Sequence, residues 1–90
     1  MKESSQSIKL VKEYITVRQG TVRGRKEPIG VEFRGKSYEI DRIIGYTKKA
    51  SKLGGHGWRW ACIINGKERF IYQEPAYGKV AEKWFVERRV

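Results

Sequence analysis

The chain has 90 residues and a formal net charge of +10, from 20 Lys and Arg against 10 Asp and Glu. That length holds one hydrophobic core and excludes a second, while the 39% hydrophobic share excludes a fully disordered chain. Its one cysteine, Cys62, excludes an intramolecular disulfide and a cysteine-based zinc site, and fits a reducing compartment.

No apolar run approaches the roughly 18 residues that span a bilayer. The segment Met1 to Ser7 lacks the apolar stretch of a secretory signal, so the expected location is cytoplasmic. The excess charge is unevenly placed. Between Glu13 and Glu27 lie Arg18, Arg23, Arg25 and Lys26 and no acid. Between Asp41 and Glu68 lie Arg42, Lys48, Lys49, Lys52, Arg59 and Lys67, again with no acid. The rest of the chain is neutral, so the whole excess resides in two segments, unlike a uniformly solvated basic surface.

Residues 1–7 read as a flexible polar tail ahead of a single β-rich domain over 8–90. Residues 8–17 fit two patterns. Ile8, Val11 and Ile15 make a helical stripe with Ser7 as its N-cap, giving one short N-terminal helix. Ile8, Leu10, Tyr14 and Thr16 alternate almost as well, and Tyr14 to Val17 are strand formers, so the strand reading is taken from Tyr14 onward. Gln19-Gly20 then reads as a turn. Gly24 to Pro28 reads as a basic loop, because proline discourages a central strand.

Residues 30–46 carry a hairpin signal. Val31 and Phe33 alternate with Glu32 and Arg34, and Tyr38 and Ile40 alternate with Glu39 and Asp41. A type II′ turn at Gly35-Lys36 pairs Phe33 with Tyr38 and Val31 with Ile40 on one face. It also sets Glu32 opposite Glu39, a like-charge cost of about a few tenths of a kcal/mol. Ile43 and Ile44 extend the second strand. Residues 47–57, with three lysines and three glycines, read as a mobile surface loop.

Residues 58–74 place Asn65-Gly66 between two apolar arms. A type I′ turn pairs Trp60 with Ile71 and leaves both faces mixed. A three-residue loop pairs Trp60 with Phe70 and Trp58 with Tyr72, gathering four aromatics on one face, and hydrophobic patterning favours it. Pro75 ends the strand. A helical turn at Val80–Lys83 is a local alternative ahead of a last strand near 83–89. Five to six short strands result, and the expected fold is mainly β: a small antiparallel sheet curled into an SH3-like or OB-like barrel.

The run Val31-Glu-Phe-Arg-Gly-Lys-Ser-Tyr-Glu-Ile40, with Trp58-Arg-Trp60, Phe70-Ile-Tyr72 and Trp84-Phe-Val-Glu-Arg88, resembles small bacterial β-domains of unknown function. The resemblance spans roughly residues 30–89. It implies a β-rich fold and nothing about chemistry.

Catalytic chemistry finds little footing. His56, in a glycine-rich loop, is the only ordinary base for a Ser or Cys nucleophile. Cys62 sits on an apparent strand between Ala61 and Ile63, where a packing thiol is the expected state. Glu32 and Glu39 form a possible carboxylate pair on a solvated strand face. One His, one Cys and scattered Glu make no metal-site spacing, and no cofactor is expected. Gly54-Gly55-His56-Gly57 offers backbone N–H groups to a phosphate, although the lysine and Ser/Thr of a phosphate loop are absent.

Basic segments beside aromatics are the best functional signal, because cations neutralise phosphates while exposed rings stack on bases. Most of Phe33, Tyr38, Trp60, Phe70 and Trp84 are needed for the core, leaving Tyr46, Trp58, Tyr72 and Tyr77 for the surface. The expected function is nucleic-acid binding, to DNA or RNA, through Arg18, Arg23, Arg25, Lys26, Lys48, Lys49, Lys52, Trp58, Arg59 and Tyr72. The alternative is a non-enzymatic SH3-like adaptor for a protein partner, which leaves the clustered charge unexplained. A membrane-surface role would require an amphipathic helix at residues 8–15.

Overall fold

The computed structural model describes residues 9–48 and 57–90. The expected tail at 1–7 and most of the 47–57 loop, Gly54 to His56 included, lie outside the described residues. Seven strands follow in chain order: β1 (Leu10–Val22), β2 (Arg25–Phe33), β3 (Lys36–Glu39), β4 (Arg42–Lys48), β5 (Trp58–Ile64), β6 (Lys67–Glu74) and β7 (Lys83–Arg89). They form one antiparallel sheet in the order β3-β2-β1-β7-β6-β5-β4. The mainly β, curled, barrel-like fold is the one expected, with one or two more strands. Among the described residues there is no helix, and so none long and apolar enough to cross a membrane.

The strand count has a topological consequence. Every pairing is antiparallel, including β1 with β7. Seven strictly alternating strands would leave the first and last parallel, so β3 and β4 must run in the same sense. They act as one strand bent at Ile40–Asp41 that hands the chain from β2 to β5. Two backbone bonds fasten the bend: Ile40 N–H donates to the Ile29 carbonyl at 3.0 Å and Asp41 N–H to the Ile63 carbonyl at 2.8 Å. The two ends of the sheet are thereby joined, which is how small barrels limit open edges.

Three hairpins turn on an X-Gly pair with both residues at positive φ: Arg23-Gly24, Arg34-Gly35 and Asn65-Gly66. These are type I′ geometries, whose twist suits the flanking strands. The Asn65-Gly66 turn imposes the register that patterning disfavoured, with Trp60 opposite Ile71 and Ala61 opposite Phe70. A mixed pattern is acceptable here because both sheet faces carry packed aromatics.

Arg34-Gly35 replaces the expected Gly35-Lys36 turn, so Val31 faces Tyr38 and Phe33 faces Lys36. The slip is two residues, so the same side chains share a face. Glu32 now meets Ser37 and Glu39 meets Gly30, which removes the like-charge contact and the carboxylate pair together.

The first third of the chain departs furthest from expectation. Residues 10–22 form a single 13-residue strand, with neither a helix nor a turn at Gln19-Gly20. Its first half pairs with β7 and its second half with β2. No isolated segment reveals that double partnership. Pro28 lies buried within β2 rather than in a loop, opposite Gln19 at a register irregularity, where its missing N–H costs least. Near the other end, Tyr77 and Val80 form an isolated bridge in place of the helical turn.

The core gathers on the concave face. Val31, Trp60, Cys62, Ile71 and Trp84 are buried there, with Ile15, Val17, Tyr38, Ile40, Ile43, Trp58, Ile64 and Val86 packed around them. Glu82, just before β7, braces it. Trp60 Nε1 donates to Gln73 Oε1 at 3.0 Å, and Gln73 Nε2 donates to Glu82 Oε2 at 2.6 Å. Glu82 Oε1 accepts from Gln19 Nε2 at 2.9 Å and from Trp84 Nε1 at 3.2 Å. Both buried indoles thus find partners, as their burial requires.

Candidate nucleic-acid interface

The long β1–β2 hairpin carries Arg23, Arg25 and Lys26 at its tip, all exposed. Across the barrel mouth, β4 ends in Tyr46-Thr47-Lys48 and β5 begins with Trp58. The Arg25 guanidinium lies over the Tyr46 ring, 5.6 Å from its centroid. Tyr46 stacks on Trp58 at 4.6 Å and 13°, and meets Trp60 at 4.1 Å, tilted by 44°. This contact joins the two acid-free stretches of the sequence, one through Arg25 and the other through Tyr46 and Trp58.

Two local features aim these rings. Ile43 pairs with Cys62, but Gly45 rather than Ile44 pairs with Ala61, so a bulge at Ile44 inserts one residue into β4. Without the bulge Gly45 would oppose Trp60 and Tyr46 would point to the other face. With it, Tyr46 opposes Trp60. Gly57 does the same service for Trp58. A Cβ at Gly57 would sit 2.1 Å from the Gln73 carbonyl oxygen, so only glycine lets β5 start this close to the end of β6.

Four cations elsewhere on the surface are held by carboxylates. Lys12 Nζ is 2.7 Å from Glu74, Arg18 pairs with Glu39, and Arg34 donates from Nε and Nη2 to Glu13 at 2.9 and 3.1 Å. Arg88 Nε contacts the same carboxylate at 2.6 Å. The hydrogen bond from Arg34, outweighing burial and aided by the charges of Arg34 and Arg88, holds the Glu13 carboxyl below its usual value. Among the described residues, Arg23, Arg25, Lys26 and Lys48 have no carboxylate within ion-pair distance, a state they share with Lys36, Arg42, Lys67 and Arg69 elsewhere on the surface.

The ten sequence-derived candidates therefore divide. Arg23, Arg25, Lys26, Lys48 and Trp58 share the barrel mouth. Arg18 does not join them: it lies flat over Gly30 to reach Glu39, and a Cβ on Gly30 would sit 2.1 Å from its Nη2. Arg59 and Tyr72 belong to the convex face. Arg59 covers the Phe70 ring at 4.4 Å, while Tyr72 stacks on Phe85 at 5.2 Å and donates its hydroxyl to Glu87 at 3.3 Å. Tyr72 is only 7% exposed, and burial, with Glu87 beside it, pushes its phenol pKa up. Lys49 and Lys52 lie outside the described residues.

Among the aromatics expected at the surface, Tyr46 and Tyr77 are exposed and Trp58 is half-buried, whereas Phe70, expected in the core, is 41% exposed. Tyr46 was not among the sequence-derived site residues. Its signal was the break in alternation at Ile43-Ile44-Gly45, since a glycine inside a strand marks a bulge.

Cys62 is fully buried, and burial pushes its thiol up to about 12, so it packs rather than reacts. Among the described residues no three His, Cys, Asp or Glu side chains gather as metal ligands. An open groove of about 480 Å³ runs beside Ile15–Val17 and Trp84, where β1 leaves β7 for β2. Its charged lining, Glu82 and Lys83, is of mixed sign. Comparisons with family models, with curated proteins and with solved structures found no match to the chain.

Proposed function

We propose that this protein binds nucleic acid at the barrel mouth, with Arg23, Arg25, Lys26 and Lys48 on phosphates and Tyr46 and Trp58 beside them. The observation that carries the proposal is the Arg25–Tyr46–Trp58 contact, which unites both acid-free segments around an exposed ring. Cations without carboxylate partners are free to replace the counterions of a polyanion, and releasing those counterions drives association. The reading involves no catalysis. The competing reading, an SH3-like protein adaptor, provides no reason for both acid-free segments to bring their cations to one end.

A salt titration tests it. Four phosphate contacts give a log–log slope of about −3.6 on duplex and about −2.8 on a single strand, from roughly −0.9 and −0.7 per contact. Replacing Arg23 and Lys26 together by Gln should reduce the slope by about two contacts' worth. Replacing Lys12, which is held by Glu74, should leave it unchanged. Absence of binding to any oligonucleotide at about 50 mM salt would rule the proposal out.

A further inference from the structure

We infer that the barrel mouth selects single-stranded over duplex nucleic acid, because an unpaired base takes the place that the Arg25 guanidinium holds over Tyr46. The inference rests on the proposed nucleic-acid binding and specifies its substrate class. Tyr46 is in contact with Trp58 and Trp60, and its remaining neighbour of note is Arg25 at 5.6 Å. Tyr46 is 37% exposed even so. Arg25 stands on the exposed β1–β2 hairpin and, among the described residues, has no carboxylate to hold it, so it can swing away. A base stacked on an aromatic ring is worth more than a cation above an exposed one, so the exchange favours the base. The displaced guanidinium then lies beside the strand it has admitted, where a phosphate is its natural partner. A duplex cannot make this exchange, because its base faces are already stacked inside the helix.

The ring under Arg25 is held in place by its packing against Trp58 and Trp60. The bulge before Tyr46 and the glycine before Trp58 set both rings parallel before any ligand arrives. A pre-set platform lowers the ordering cost of binding. Stacking also makes no demand on base identity, so the expected ligand is a strand of either sugar type with little sequence preference.

The test compares a 12-nucleotide oligo-dT, a 12-nucleotide oligo-U and a 12-base-pair duplex on the full chain, with tryptophan fluorescence as a second readout. Tyr46→Leu keeps apolar volume against Trp60 and should weaken both single strands about tenfold, with the duplex changed less than twofold. Tyr46→Phe retains the ring and should restore single-strand affinity. Trp58→Phe should abolish most of the quenching that oligo-dT causes, since Trp60 and Trp84 are buried. Equal affinity for duplex and single strands, with Tyr46→Leu lowering neither selectively, would overturn this inference and leave phosphate binding intact. No binding to any of the three would overturn both. Melting curves of each variant separate loss of stacking from loss of fold.

Discussion

Substituting alanine at two buried glycines should have very unequal consequences, and the pair tests whether backbone or side chain sets the close approach. At Gly57 a Cβ would lie 2.1 Å from the Gln73 carbonyl oxygen and 3.2 Å from its carbon, both backbone atoms in the β6 strand. To reach ordinary contact, the start of β5 must shift by about 1 Å, which breaks the Trp58–Gln73 rung of the ladder. Overpacking of this kind costs about 1–3 kcal/mol, and each ladder hydrogen bond lost adds about 1 kcal/mol. We therefore expect Gly57→Ala to cost roughly 2–4 kcal/mol, a fall in melting temperature of roughly 10–20 °C for a domain of this size.

At Gly30 the Cβ would also fall 2.1 Å from another atom, but that atom is Arg18 Nη2, the far end of a flexible chain. The guanidinium can leave Glu39, breaking a surface pair worth about 0–1 kcal/mol. Alanine offsets this with about 0.5–1 kcal/mol from lower chain entropy in the unfolded state. Thermal unfolding followed by circular dichroism should therefore place Gly30→Ala within a few degrees of the parent. Similar losses for the two variants, or a larger one for Gly30→Ala, would refute the reasoning. Gly57→Ala should also disturb Trp58 and so weaken single-strand binding, which Gly30→Ala should leave alone.

Other expectations follow from single contacts. Glu13 titrates below its unfolded value of 4.5 when folded, so its contribution is present above that value and fades as pH falls through the lower folded value. Glu13→Gln should therefore melt lower than the parent at neutral pH, with the gap closing in acid, and a pH-independent gap would contradict the Arg34 and Arg88 contacts. Cys62, buried with its thiol pushed up to about 12, should resist iodoacetamide in the native state and react on unfolding; native-state labelling at the rate of a free thiol would contradict that burial. Glu82→Ala removes the acceptor shared by Gln19, Gln73 and Trp84, so the Trp84 indole N–H should exchange faster with solvent, read by proton NMR.

The amino-acid sequence by itself determined the features that rest on neighbours in the chain. Alternation at Val31–Phe33 and Tyr38–Ile40, and the Asn65-Gly66 turn, are local signals, and both hairpins formed where those signals lie. The placement of excess charge in two acid-free segments is likewise a property of the chain alone. Register was harder: at residues 30–39 face patterning is blind to a slip of two residues, and at 58–74 it favoured a register one residue away from the one formed. It was settled by turn geometry at Arg34-Gly35 and Asn65-Gly66, against the arrangement that would have gathered the aromatics.

Only the tertiary structure decided which basic residues act together. Arg18 and Arg25 look alike in the sequence. One is held by Glu39 from a strand 21 residues away, and the other rests on Tyr46 across the barrel mouth. Tyr72 passed to the convex face because the type I′ turn sets it opposite Arg59. Tyr46 came to the site because one inserted residue reversed its side. Each outcome depends on pairing between distant strands, and the parity that bends β3 into β4 is a property of the whole sheet. The sequence therefore specified the charge and the hairpins, while the curl of the sheet specified the surface on which they meet.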